Sequence, residues 1–384
     1  MSSSSLSTSG SQQQPPPIIL YHYPFSPYAK RIVWYLHLRG IPYSQCLQPM
    51  ILPRPDLSSF LGIKYRRIPL LSIGRDVYLD TRLILSKLED LDLPSSLNSP
   101  KLSAAPGTDA LALQNLLSHY SIDGGLFSRA AQLLFSLDNP LLRDPQFLAD
   151  RADFVAGGGG APPKFSREEM AALGPEALAD LRDYCQMLET TVLADGRDWI
   201  LKNTTDNNNK PGLADIEAVF VLHWVMSLPG ALPKEQFNED KFPRVWKWVE
   251  RFRVAVGETT TTPTPTQQTA AQKKGDSSNS SKVATVKGDQ ARDLILGAGW
   301  NEDSEKKEVE AGEAIVQFHG LKKGMLVEVW PTDSGSAPAH RDVGRLVMLD
   351  SREVVIENEK GVRVHAPRHG FRVKPSSQAV ASSL

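Results

Sequence analysis

The sequence predicts three folded parts in succession: a small α/β domain over residues 18–95, an all-helical domain over residues 105–256 and a small β-barrel within residues 291–375. Three observations predict it. Strand-like and helix-like runs alternate through the first domain, after which apolar residues recur only at helical spacing. Residues 257–290 (GETTTTPTPTQQTAAQKKGDSSNSSKVATVKGDQ) hold too few apolar side chains to bury a core, which marks a linker. Beyond them, short apolar runs separated by turn residues read as strands of an SH3-like barrel.

Taken in order, residues 1–17 form an uncharged Ser/Gln/Pro lead-in that reads as disordered and carries neither a secretory nor a mitochondrial signal. Ile18–Tyr21 suits a buried strand. A helix starts at Pro27, whose φ suits a first turn, and ends at Gly40, a natural cap. Tyr43–Leu47 reads as a strand, and Ile68–Ile73 with Asp76–Asp80 as a hairpin turning at Gly74-Arg75, before a helix over Thr81–Leu88. Helical spacing then covers 111–120, 126–137, 167–193, 213–226 and 245–254, interrupted by a glycine-rich insert (Gly157–Pro163) and an asparagine-rich one (Asn203–Lys210). The last strands are expected at Gly324–Trp330, Gly344–Leu349, Glu353–Glu357 and Val362–His365, and 376–384 as a disordered tail.

Composition excludes several classes. A formal net charge of -1 argues against a general polyanion binder. The apolar runs fall short of a membrane span. Two cysteines, Cys46 and Cys185, without metal-type or C-x-x-C spacing point to a reducing compartment and a cytoplasmic protein.

Five motifs in order, YPFSPYAKRIVWYLHLRGIPY (23–43), RRIPLL (66–71), LDT (79–81), WIL (199–201) and PGLADI (211–216), resemble the glutathione S-transferases, with a fungal-looking Ser in the SPYA motif. The resemblance covers residues 18–256. It implies a thioredoxin-like glutathione-binding domain, then the family's helical C-terminal domain, with glutathione as co-substrate and conjugation of its thiol to a small electrophile. Family habit also implies a homodimer.

The same resemblance assigns the site. Ile68, before a cis-Pro69, presents backbone to the cysteinyl part of glutathione; a trans proline opening an edge strand is the alternative. Asp80 and Thr81 hold the γ-glutamyl end, Asp80 pairing the ammonium and Thr81 the carboxylate, although Thr81 also suits a helix cap. Arg67 takes the glycyl carboxylate. Ser26 stabilises the thiolate by a hydroxyl donor at a helix N-terminus, while an N-cap role alone is the rival reading. With Ser26 and Ala29 in place of two cysteines, no mixed disulfide or dithiol cycle can form. Tyr21 and Tyr23 are competing donors. Tyr23, Tyr28, Tyr120, Phe127 and Arg129 are candidates for the electrophile wall. Asp215 reads as a capping residue despite Gly212 at the cap.

The basic excess of the C-terminal block is interleaved with acids, which argues against nucleic acid and for a protein-contact module. His340, His365 and His369 show no ligand-like neighbours in sequence, so no metal is expected. The competing function is a non-catalytic scaffold, laid out like elongation-factor 1B-gamma-like proteins, assembling a complex through its helical or C-terminal part.

Overall fold

The computed structural model describes residues 15–93, 99–137, 139–155, 166–201, 210–258, 283–303 and 307–377. The lead-in before residue 15, the glycine insert, the asparagine stretch from 203 to 209, the linker over 259–282 and the tail beyond 377 lie outside them.

Strand β1 (Ile18–His22) runs into a loop and then helix α1 (Pro27–Arg39), which begins behind Ser26 and stops at Gly40 in the left-handed conformation. Next come β2 (Ser44–Leu47), a single helical turn α2 (Pro55–Ser58), β3 (Leu70–Ile73), β4 (Asp76–Tyr78) and α3 (Thr81–Asp90). β1 pairs parallel with β2, Ile19 opposite Ser44, and antiparallel with β3, Ile18 opposite Ile73.

The helical part holds α4 (Asp109–Ile122), α5 (Leu126–Gln132), α6 (Pro145–Val155), α7 (Arg167–Ala171), α8 (Gly174–Met187), α9 (Leu213–Met226) and α10 (Pro243–Ala255). The single helix expected over 167–193 is divided, because Pro175 has no N–H for a preceding turn and starts α8 afresh. α9 is apolar around almost its whole circumference and is the buried axis of this part. Gly212 caps α9 with no side chain of its own. Asp215 reaches back to the Gly212 N–H at 2.9 Å and also accepts from Ile200 N–H and Trp248 Nε1, so its role is structural.

The chain resumes with β5 (Ala284–Thr285), α11 (Gly288–Gly297), α12 (Ala314–His319), β6 (Leu326–Pro331), β7 (Asp342–Leu349), β8 (Glu353–Glu357), β9 (Arg363–Pro367) and β10 (Phe371–Pro375). Two expectations are corrected here. The linker does not reach residue 290, since β5 already pairs with β2 and α11 opens at Gly288. Nor do the last strands stand apart from the first domain. They run β10-β6-β7-β8-β9, and β9 then lies parallel to β4, Val77 opposite Val364, giving one ten-stranded sheet among the described residues. The physical reason is an edge: β4 is only three residues long and would otherwise leave its outer N–H and C=O groups unpaired.

The two faces of the first sheet complete the explanation. Leu20, Leu71, Ile73 and Tyr78 join α1, α3 and the helical part in one core. Their alternating neighbours Ile19, Tyr21, Leu70 and Val77 join Ala291 and Ile295 of α11 and the C-terminal strands in a second. At Gly74, φ is +57° and an added Cβ would stand 2.4 Å from the Gly299 carbonyl, so only glycine admits that C-terminal segment.

Candidate functional site

A cleft of about 670 Å³ opens where all three parts meet. That volume suits a small-molecule ligand. The starts of α1 and α3 both line it, bringing Ser26, Tyr28, Asp80 and Thr81 together with Arg67, Ile68 and Pro69.

Ser26 is buried and has extended backbone at the N-cap of α1, and its Oγ accepts from Ala29 N–H at 3.2 Å. A hydroxyl that accepts in this way keeps its own proton free to donate. Tyr23 lines the cleft beside Phe25, whereas Tyr21 does not, and the Tyr21 hydroxyl is buried with burial pushing its titration upward. The Ile68–Pro69 bond is cis.

Asp80 has φ +64° and caps α3, accepting from Arg82 N–H at 2.9 Å. The Thr81 hydroxyl accepts from Arg31, a fully buried guanidinium that also pairs with Glu217. This buried bridge between α1, α3 and α9 escaped sequence reasoning, because an arginine within an apolar helix stripe gives no sign that its partner lies 186 residues away.

Arg67 is already engaged. It donates to the Asp333 carboxylate and the Ser334 carbonyl, and to Ser334 Oγ at 3.1 Å. Burial favours the neutral form of Arg67, but Tyr65 and Asp333 outweigh it and raise its pKa. Thr332–Ser334 and His369–Phe371 thus form a wall of the cleft that nothing in the sequence placed there. Phe154 stands on another side, with the Arg66 and Arg67 guanidiniums 5.2 and 5.6 Å from its ring.

The proposed electrophile wall divides. Tyr28 and Phe127 line the cleft with ring centroids 4.7 Å apart, and burial raises the Tyr28 phenol. Tyr120 does not: it stacks on Tyr184 at 5.5 Å, half-exposed. Arg129 is likewise turned outward, paired with Asp180. Helical spacing gives a face but not which neighbour covers it. Neither cysteine can replace Ser26 as a thiol, because burial pushes Cys46 and Cys185 up to about 12.

The histidines also differ from expectation. His369 Nε2 and His119 Nδ1 both meet Asp123 Oδ2, at 3.0 and 2.7 Å. His365 Nε2 meets Asp76 at 2.8 Å and its Nδ1 faces Glu353 and Glu302 at 3.8 and 3.9 Å. His119 and Asp123 are one helical turn apart on α4, but His369 and the partners of His365 come from distant segments and are invisible in linear spacing. His340 Nε2 meets Asp153 Oδ2 at 3.0 Å.

Comparison with known proteins bears on the fold. Residues 20–95 match the family model described as glutathione S-transferase, N-terminal domain, and residues 129–261 match one described as a domain of unknown function. A GST-like protein from Pseudomonas syringae is 20% identical, superposes with a TM-score of 0.57, and the match covers 94% of this chain and 100% of that one. The fold is glutathione-S-transferase-like. The shared fold extends past the helical part into the C-terminal strands, since the transferase-like segment alone would leave a third of the chain unmatched. A rice glutathione S-transferase in complex with glutathione is 18% identical, covering 67% of this chain and 98% of its own, with a TM-score of 0.44. Human glutathione S-transferase T1-1, apo form, is 16% identical over 73% and 99%, with a TM-score of 0.43. No curated protein matches by sequence. Among the described residues no helix of this GST-like chain is long and apolar enough to cross a membrane.

Proposed function

We propose that the protein binds glutathione in this cleft and transfers its thiol to a small electrophile. The observation that carries the reading is the convergence of Ser26, the cis Ile68–Pro69 bond and the Asp80–Thr81 pair on one cleft, at the N-termini of α1 and α3.

Each group has a defined task. A thiol with a pKa near 8.5 is mostly protonated at neutral pH, and the free Ser26 O–H together with the α1 N-terminus favours its thiolate. Asp80 takes the γ-glutamyl ammonium, while the Thr81 hydroxyl, kept as a donor by Arg31, and the N–H groups opening α3 take the adjacent carboxylate. Ile68 offers main-chain groups to the cysteinyl unit. Tyr28 and Phe127 face the electrophile, and the thiolate sulfur attacks it as the leaving group or π-bond takes up the electron pair.

One observation favours the scaffold reading: the Arg67 guanidinium is held by Asp333 and Ser334 rather than left open. Calorimetry decides between them. Glutathione binding to the intact chain that is lost in Asp80→Ala and kept in Ser26→Ala supports the transferase. A folded chain that takes up no glutathione at millimolar concentration establishes the scaffold.

A further inference from the structure

We propose that His119, Asp123 and His369 form a binding site for a divalent zinc-class ion at the lip of the cleft. The site does not depend on the glutathione reading. Its ligand atoms, one from each residue, lie within 4.8 Å of one another. His119 stands one helical turn before Asp123 at the end of α4, so the two share a face, and His369 arrives from the β9–β10 turn. Asp123 and His369 also line the cleft.

The donor set suits the ion. Two imidazole nitrogens and a carboxylate oxygen are the ligands of an open zinc site, which keeps its fourth position for water or substrate. A tetrahedral ion about 2.0–2.1 Å from each ligand needs ligand atoms about 3.3 Å apart. The His119–Asp123 and His369–Asp123 separations of 2.7 and 3.0 Å therefore require shifts of a few tenths of an ångström. The two imidazole nitrogens, within 4.8 Å of each other, close by up to about 1.5 Å. The rings, 53% and 58% exposed in their side chains, are free to make these moves. On binding, each histidine surrenders the N–H it now donates to Asp123. The proton passes to the other ring nitrogen or to solvent.

Arg82 donates to the same Asp123 oxygen at 2.6 Å. It remains as an outer partner that orients the carboxylate, at some cost in affinity from its own charge. The buried trio Glu302, Glu353 and His365 offers a similar ligand set, but Lys87 and Lys307 already fill the cation position there, so the lip is the better site. An ion at the lip would tie the β9–β10 turn to α4 and place an open coordination position toward the cleft.

The test is calorimetric titration of the tag-free full chain with Zn²⁺. The expected result is one equivalent bound, with affinity falling roughly tenfold or more in each of His119→Ala and His369→Ala. His319→Ala, outside the trio, should bind as the parent does. Circular dichroism melting of the zinc-free variants separates loss of ligands from loss of fold, and His369→Gln replaces any variant that melts early. No binding by the parent, or binding that survives the double His119→Ala/His369→Ala change, overturns the proposal.

Discussion

Ser26 and Thr81 share a device. Each hydroxyl is fixed by one donor from the protein, Ala29 N–H or Arg31, and each therefore points its own proton elsewhere. Ser26→Ala should lower kcat/KM by about 10²-fold, as loss of a preorganised donor does, while costing only about 1 kcal/mol of stability through the lost cap. Steady-state kinetics and thermal melting read the two effects separately, and a loss of activity in step with stability would sink the thiolate role. Asp333 acts in the opposite sense. Its side chain is 66% exposed, so its pairing with Arg67 contributes at most about 1 kcal/mol. Asp333→Asn should accordingly tighten glutathione binding by no more than about fivefold. Unchanged or weaker binding would mean that Arg67 does not meet the ligand. At this scale the sequence was informative where the motif was local: Ser26, Pro69, Asp80 and Thr81 all line the cleft. It was silent on Arg31, Asp333 and His369, whose meaning depends on partners brought from distant segments.

Between β4 and β9 the elements are joined by charge as well as by backbone pairing. Asp76, Glu302 and Glu353 face Lys87, Lys307 and His365, three carboxylates against three cationic groups once His365 is protonated. Burial alone would lower the His365 pKa, but its hydrogen bond to Asp76 and the nearby Glu353 and Glu302 carboxylates outweigh it and raise it above its usual value. A histidine raised on folding contributes stability that is complete below about pH 6.5 and is lost as pH rises through the folded value. Glu302, held down to about 2 by His365 and the lysines against the effect of burial, contributes stability present above about 4.5 and lost as pH falls toward 2. Denaturant melts should therefore show His365→Gln losing most stability near pH 6 and progressively less at alkaline pH. A constant difference across that range would rule out a charged His365. This seam also shows why the secondary structure was more legible than the topology. Alternation marked the strands and Pro27 and Gly40 marked the ends of α1, yet the apolar run of β9 fits a free-standing barrel and an extended sheet equally well.

Across the whole molecule, the C-terminal block covers the second face of the first sheet and supplies a wall of the cleft. A chain ending at residue 258 should retain its helical core but expose Ile19, Tyr21, Leu70 and Val77. We expect that fragment to bind a hydrophobic dye and aggregate, measured by fluorescence and light scattering. A soluble, glutathione-binding fragment would show the block to be dispensable. Read along the sequence, the low-apolar stretch from 257 suggested a tethered module, because composition marks where chain is unpacked but not where the next segment docks.

The pairing of β9 with β4 has a consequence for how the molecule is made. Asp76 and His365 meet across 289 residues. At 5–20 residues per second, translation separates their emergence by about 15–60 s. During that interval the first sheet exists with one greasy face bare and its cleft unwalled, so chaperone occupancy of nascent chains should peak there, and a ribosome that stops early releases a product without a site.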